Sequence, residues 1–470
     1  MLEIILTVHF IVLMFFIVYG LSSLIFIISS FFKKSTKSKC MSLYKVSVMI
    51  PCRNEEDVIE ETLKTIKAQN YPLYEVLIID DNSNDRTAQI CMNFIKKHDL
   101  KHFKLIQRYE NNSSKPKAVN HALKFVKGDI IIFFDADNKP YRDCVKELVS
   151  GFENDKIAAV QGRVITKNGN LLSKIVSIER CSGFNVRFRG KDRIGTNVQF
   201  SGTIVAIKRK IIEKIGNFNQ NSLTEDTDLT VKLILNGYKI RYQPKAIALE
   251  EAPPNLNNYI TQRTRWATGH MKCFSEYWKD IIKSKISLLD KIDTLLFLFY
   301  YNVPLICGIG IVTGLLNYYF SNDFIIGGTF AFIFMSIIIA APILEIILGI
   351  IRSNNPKNLF LLILVPFFFI LNVHICFIAS YKNLKGDKKW VKTERRNGNK
   401  TLKINGLALS SFMVLFSIFS TFLAINKIIN LDYIFLSYLG ILTGTLITNN
   451  LENMAYQISR IHIKLYPKFR

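Results

Sequence analysis

Five short stretches of this 470-residue chain carry side chains whose types and spacing could do chemistry. Asp135-Ala136-Asp137 follows the apolar run Ile130 to Phe134. Alternate residues at a strand end can aim two carboxylates at one point, and hard cations such as Mg2+ or Mn2+ take carboxylate oxygens while sharing their shell with phosphates. The bare pattern is equally an ordinary strand-end turn. Asp80-Asp81 closes a second apolar run, Val76 to Ile79. Lys115 stands before Pro116 at a helix start, where the helix N-terminus adds its own positive end for a phosphate. Thr224-Glu225-Asp226-Thr227-Asp228 precedes an amphipathic helix expected over Leu229 to Leu235, and acidic residues at a helix start are favourable for the helix alone. In Gln262-Arg263-Thr264-Arg265-Trp266, residues 262, 265 and 266 share one helical face. A guanidinium beside an indole offers an anion clamp and a flat stacking surface. A helix lying at the membrane interface would use Arg and Trp as well.

The elements around these stretches read as alternating strand and helix. Val46 to Ile50 is a strand ended by Pro51, and Glu55 to Gln69 a helix with Val58, Leu63 and Ile66 on its apolar face. After Tyr71-Pro72 come a strand at 76–79, a helix to Lys97 capped by Ser83, and a strand at 103–106. A helix from Pro116 and a strand at 130–134 complete the series. Such βαβ units predict a parallel-type sheet with helices on both faces, its ligands at the carboxyl ends of the strands. Those ends carry Arg53-Asn54-Glu55, Asp80-Asp81 and Asp135 with Asp137.

Flanking regions are of another kind. The chain has 49% hydrophobic and 21% charged residues, which excludes disorder, and a net charge of +24. Residues 4–32 are long enough to span a bilayer, and Met1-Leu2-Glu3 lacks a basic leader, so 1–32 reads as a retained anchor. Lys33, Lys34, Lys37 and Lys39 place its end in the cytoplasm. Residues 33–258 are then expected to form a cytoplasmic α/β domain, 259–293 interfacial helices, 294–458 a membrane region and 459–470 a basic cytoplasmic tail. Apolar runs fall at 295–319, 324–351, 359–380, 404–425 and 433–448. If 359–380 crossed the membrane, nine Lys/Arg in 381–403 would lie outside, so it is expected to stay in the interface, with 381–403 cytoplasmic. Pro366, Asn372 and His374 suit a bent, protein-packed segment. Eight scattered cysteines include no C-x-x-C pair and argue against zinc or redox motifs.

In order along the chain, Pro51-Cys52-Arg53-Asn54-Glu55, Asp80-Asp81, Lys115 with Asn120, Asp135-Ala136-Asp137, Phe200-Ser201-Gly202-Thr203, Thr224-Glu225-Asp226 and Gln262 to Trp266 resemble the processive family-2 glycosyltransferases. The likeness is to the cellulose, chitin and hyaluronan synthase group, and most to bacterial poly-N-acetylglucosamine synthases. It runs from the anchor to about Asn399. It implies a glycosyltransferase-A-like α/β domain joined to an α-helical transmembrane region. Asp81 and Glu55 would help hold the uridine part of a UDP-sugar, Pro51, Arg53 and Asp135 would also meet the donor, and Lys115 and Arg265 would lie near its diphosphate. Asp137 would ligate Mg2+ or Mn2+ and Asp135 would ligate or orient it. Asp226, within Thr224-Glu225-Asp226, would be the general base. Gln262, Trp266 and Ser201, Gly202 and Thr203 would meet the acceptor. Ser114 stands where that group usually has Gly, and Trp390 to Arg395 resembles its gating loop only loosely.

The implied partners are a UDP-sugar, a polysaccharide acceptor and the membrane, with room for a small accessory membrane subunit. A lipid acceptor, as in the glucosylceramide synthase type, is the alternative. Nucleic-acid binding would explain the charge, but the expected site is acidic, which a phosphate backbone does not want. A transporter would leave three acidic motifs idle.

Overall fold

The computed structural model describes residues 2–32, 44–110, 113–167, 169–321, 328–353 and 355–386, all inside one compact unit of residues 1–398. The expectations for Lys33 to Lys39, Trp390 to Arg395, the runs 404–425 and 433–448 and the tail lie outside the described residues.

The chain opens with α1 (Leu2–Ser29). The sheet domain follows as β1 (Val46–Cys52), α2 (Ile59–Lys67), β2 (Glu75–Asp81), α3 (Thr87–Lys97), β3 (Phe103–Arg108), α4 (Lys115–Leu123), β4 (Ile130–Phe133) and β5 (Lys139–Pro140). It continues through α5 (Cys144–Ser150), β6 (Ile157–Thr166), α6 (Leu171–Ser182), a π turn (Gly183–Arg187) and α7 (Phe188–Ile194). It ends with β7 (Val205–Lys208), α8 (Arg209–Ile215), α9 (Glu225–Leu235), β8 (Lys239–Glu250) and α10 (Leu256–Lys283). Then come α11 (Leu288–Phe299), a 3-10 turn (Tyr300–Asn302), α12 (Val303–Ser321), α13 (Gly328–Ile351), a 3-10 segment (Pro356–Leu364) and α14 (Val365–Leu384).

The eight strands form one sheet in the order β3-β2-β1-β4-β7-β6-β8-β5. The expected parallel pairing holds for β1 to β4. Beyond them the sheet is mixed, with β7 antiparallel to both β4 and β6. The reason is the point of entry. The segment before β7 lies at the carboxyl end of β4, where Gly202 neighbours Lys115 and Asp135, so β7 starts there and must run back. Val48, Ile50, Ile78, Ile79, Ile131 and Ile132 are fully buried, because helices cover both faces of the central strands. Register brings the strand ends level, pairing Cys52 with Asp80 and Met49 with Phe133, so Arg53, Asp81 and Asp135 emerge at one edge.

Two local expectations shift. Ser83 does not cap α3. Its hydroxyl donates to Asp80 and accepts the Asn54 N–H at 2.9 Å, fastening the loops after β1 and β2 together. The helix expected from Leu229 starts at Glu225, which puts Asp226 in its first turn.

Among the described residues two helical stretches are long and apolar enough to cross a bilayer by length and composition, Glu3–Ser29 and Leu288–Gly314. The second is interrupted by the 3-10 turn at Tyr300–Asn302. Pro342 lies inside α13.

Candidate active site

A cavity of about 490 Å³ opens at the carboxyl ends of β1, β2 and β4 and extends past α9 and α10 to Tyr19 of α1 and Glu345 of α13. Of the residues singled out in the sequence, Pro51, Arg53, Glu55, Asp81, Lys115, Asp135, Asp137, Ser201, Gly202, Thr224, Glu225, Asp226, Gln262, Arg265 and Trp266 line it. Thr203 does not. It is 1% exposed and sits behind the wall, where its hydroxyl donates to Asn138 and accepts the Asp135 N–H at 3.0 Å.

At the strand-end side, Asp81 is buried in an ion pair with Arg108, which also bonds Glu110 at 2.6 Å. Burial raises the Asp81 carboxyl above its usual range, and Arg108 opposes that rise. The Asp135 turn is fixed from behind, since the Asn138 side chain also accepts its N–H at 3.0 Å. Asp137 is 2% exposed yet reaches the cavity.

Lys115 crosses this floor. Its ammonium bonds Asp135 Oδ1 at 2.6 Å and the Gly202 carbonyl at 2.7 Å, with Glu225 at 3.7 Å. Burial acts to lower its pKa, but the carboxylates of Asp135 and Glu225 outweigh it and raise the group, so it stays cationic. Ser114, just before it, has φ −158° and ψ 150°, extended backbone that any residue adopts, so this position has no need of glycine.

Asp226 faces the cavity from the first turn of α9. Its Oδ1 accepts the Thr227 N–H at 2.8 Å. Burial and then the neighbouring Glu225 charge push its pKa up to about 6, against the pull of Lys115 and the Thr227 N–H. A carboxylate poised there can take a proton near neutral pH. Gly202 sits opposite at φ +83°, and a Cβ on it would stand 3.3 Å from Asp226 Oδ2. Conformation and space both ask for glycine.

Gln262, Arg265 and Trp266 come from α10, whose first turn is capped by Asn255 accepting the Asn258 N–H at 2.9 Å. Arg265 donates to the Leu223 carbonyl at 3.2 Å, while its Nε has no partner among the described residues. Burial lowers its pKa, and the carboxylates of Glu225, Asp226 and Asp135 pull the other way. The Trp266 ring is met by the Arg263 guanidinium at 4.2 Å and by Arg180 at 5.6 Å. Arg263 is held by Glu179 at 2.6 Å, and Arg180 by Glu250 at 2.9 Å. The indole is thus part of a cation–π stack rather than an open plate.

Several members were not found in the sequence. Arg108, Glu179 and Arg180 are brought in by tertiary packing and had no local signal. Arg263, Gly269 and His270 had one, because each lies three or four residues from Trp266 on α10. Gly269 lets α10 close on α9, since a Cβ there would stand 2.5 Å from the Thr224 side chain.

Comparison with known proteins agrees with this architecture. Residues 44–269 match the family described as Glycosyltransferase like family 2. The chain is 33% identical over 379 residues to a probable glycosyltransferase, YdaM, of Bacillus subtilis (strain 168), covering 76% of this chain and 89% of that protein. It is 31% identical over 255 residues to a poly-beta-1,6-N-acetyl-D-glucosamine synthase of Staphylococcus epidermidis, covering 54% of this chain and only 61% of that one. Among solved structures, the mannosyltransferase PcManGT from Pyrobaculum calidifontis, in complex with GDP-Man and Mn2+, superposes with a TM-score of 0.57 at 20% identity. That match covers 82% of this chain and all of the other, and shows a shared glycosyltransferase-A-like fold. The chain belongs to glycosyltransferase family 2.

Proposed function

We propose that this protein is an inverting membrane glycosyltransferase. It moves a sugar, N-acetylglucosamine for preference, from a UDP-sugar to the hydroxyl of a growing β-linked polysaccharide, and couples this to export. The observation that carries the reading is the single cavity in which Lys115, Asp135, Asp226 and Arg265 converge and which continues to the apolar helices. The relative in Staphylococcus epidermidis, by its name, favours both the sugar and the polymer.

Asp137 and Asp135 would hold Mg2+ or Mn2+. Among the described residues no group of three or more His, Cys, Asp or Glu side chains is placed to hold a metal alone. Two hard carboxylates suit an ion that completes its shell with phosphate oxygens and water. Such an ion would neutralise charge on the departing diphosphate, a task that Lys115 and Arg265 share. Asp226 takes the proton of the acceptor hydroxyl as its oxygen bonds to the anomeric carbon. The bond from that carbon to UDP breaks, and the electron pair leaves with UDP. With one base on the acceptor side, a single displacement turns an α-linked donor into a β-linked product.

A lipid acceptor is the second reading. The membrane-facing end of the cavity speaks for a hydroxyl-rich acceptor instead, because Arg187 and Glu345 form an ion pair there at 2.7 Å, with Arg187 also bonded to Ser23 at 3.0 Å. UDP release by the purified full chain across a panel of UDP-sugars, with product sizing, tests both. A ladder of products from UDP-N-acetylglucosamine supports the proposal. A single-sugar lipid product favours the second reading, and no UDP release from any donor overturns both.

The proposal keeps residues 33–293 cytoplasmic and 359–380 out of the spanning set. In support, α14 lies along α10, with the Asn383 amide donating to the Thr268 carbonyl at 3.2 Å and the Ser380 hydroxyl to Met271 Sδ at 3.6 Å. A cysteine introduced at Gly398 should resist an impermeant thiol reagent applied to intact cells, and labelling from outside would refute this topology.

A further inference from the structure

His270 lies on α10, four residues beyond Trp266, and its ring reaches the cavity between the catalytic turn and α11. Its Nδ1 is 3.3 Å from the Phe297 carbonyl and its Nε2 is 3.3 Å from Thr227 Oγ1. A carbonyl only accepts, so Nδ1 carries the proton. The ring is neutral, because burial holds its pKa down at about 4. Nε2 is therefore bare and accepts the Thr227 hydroxyl proton. Thr227 in turn gives its backbone N–H to Asp226 Oδ1 at 2.8 Å.

The Phe297 carbonyl is available for a structural reason. α11 ends at Phe299 and the chain passes into the 3-10 turn Tyr300–Asn302, so this carbonyl belongs to the last turn of a helix and takes the shorter bond from the Tyr300 N–H. A second acceptor site faces α10. The His270 ring is also seated edge-on to Phe297 at 4.8 Å and to Tyr301 at 5.1 Å between ring centres. These contacts join the middle of an apolar, span-length stretch to the residue next to Asp226.

We propose that His270 is a positioning residue for the proton-accepting carboxylate, acting through Thr227 and fixed in its tautomer by the Phe297 carbonyl. The proposal rests on the reading of Asp226 as the base. His270 touches no reacting atom. Its bond to the Thr227 hydroxyl fixes the first turn of α9, and with it the N–H that orients Asp226. The consequence is a loss in the chemical step without a loss in donor affinity.

The test uses the full-length purified protein, measured by UDP release against UDP-N-acetylglucosamine or whichever UDP-sugar the panel finds active. His270→Phe keeps the aromatic seat and removes both bonds, and Thr227→Val removes only the hydroxyl. Each is expected to lower kcat about tenfold with the donor KM within twofold, as for a displaced catalytic group. Thr227→Ser and His270→Gln, which retain a donor or an acceptor in place, should recover most of that loss. The double variant His270→Phe with Thr227→Val should be no worse than either single one, since one chain of contacts is broken twice. Multiplying losses, an unchanged kcat in Thr227→Val, or a KM effect alone would overturn the proposal. Asp226→Asn run alongside separates the two ideas. If it loses turnover while His270→Phe and Thr227→Val do not, only the positioning role fails. If it keeps turnover, the base assignment fails first.

Discussion

At the strand-end side of the cavity, functional groups sit on rigid sheet termini and are held from behind. Asp135 has its N–H taken by Asn138 and Thr203, and Asp81 is locked by Arg108. On the helical side, the proposed acceptor side, the groups stand on helices that meet from distant parts of the chain. Trp266 is stacked on Arg263 and near Arg180, and Arg187 reaches Glu345, 158 residues away. Under the proposed function the first side receives a ligand of fixed shape, a nucleotide diphosphate. The second depends on how α6, α10 and α13 pack, which suits a site that admits and moves a variable acceptor.

That contrast can be broken in graded steps. Asp137→Ala should abolish UDP release, and excess Mg2+ or Mn2+ should fail to restore it, since a ligand and not the ion is missing. Full turnover in that variant would remove the metal from the strand-end side. Arg265→Lys should cost about 10²-fold in kcat, because a point charge does not replace a planar fork. A change confined to the donor KM would instead make Arg265 a ground-state contact. Gly269→Ala acts purely through packing. Its new Cβ would collide with Thr224, 2.5 Å away, and push α10 off α9. A loss of between about ten- and a hundredfold in transfer is expected, as for ångström-scale displacement of catalytic groups. An unaffected enzyme would show that the helix junction tolerates movement.

The smallest effect is in the pH profile. Asp226 has its pKa raised to about 6, so the protonated and inactive form gains population as pH falls through 6. The kcat/KM should therefore rise with pH and level off above 7, with about a tenth of the plateau left at pH 5. Asp226→Asn should flatten this limb in whatever activity remains.

The two sides also differ in how readable they were. The strand ends follow from local rules. Mostly apolar runs of four or five residues made β1, β2 and β4, and the polar residues just beyond them had to share an edge. The acceptor side was readable only where helical spacing carried it, as for Gln262, Arg265 and Trp266. Arg108 and Arg180 look like surface cations in the sequence, and only the fold turns them onto Asp81 and Trp266. The antiparallel entry of β7 was equally hidden, because it depends on where residues 195–204 arrive and not on their composition. Gly202 was visible as a motif member, but its reason, a positive φ beside Asp226, was not.

The central claim is that Asp226 accepts the proton of the acceptor while the strand-end side independently holds the donor. Asp226→Asn, compared with wild type for UDP-sugar binding and for sugar transfer in the same preparation, tests it most directly. The account predicts donor affinity within a few-fold of wild type and transfer reduced by about 10²-fold or more. Transfer close to the wild-type rate would contradict it.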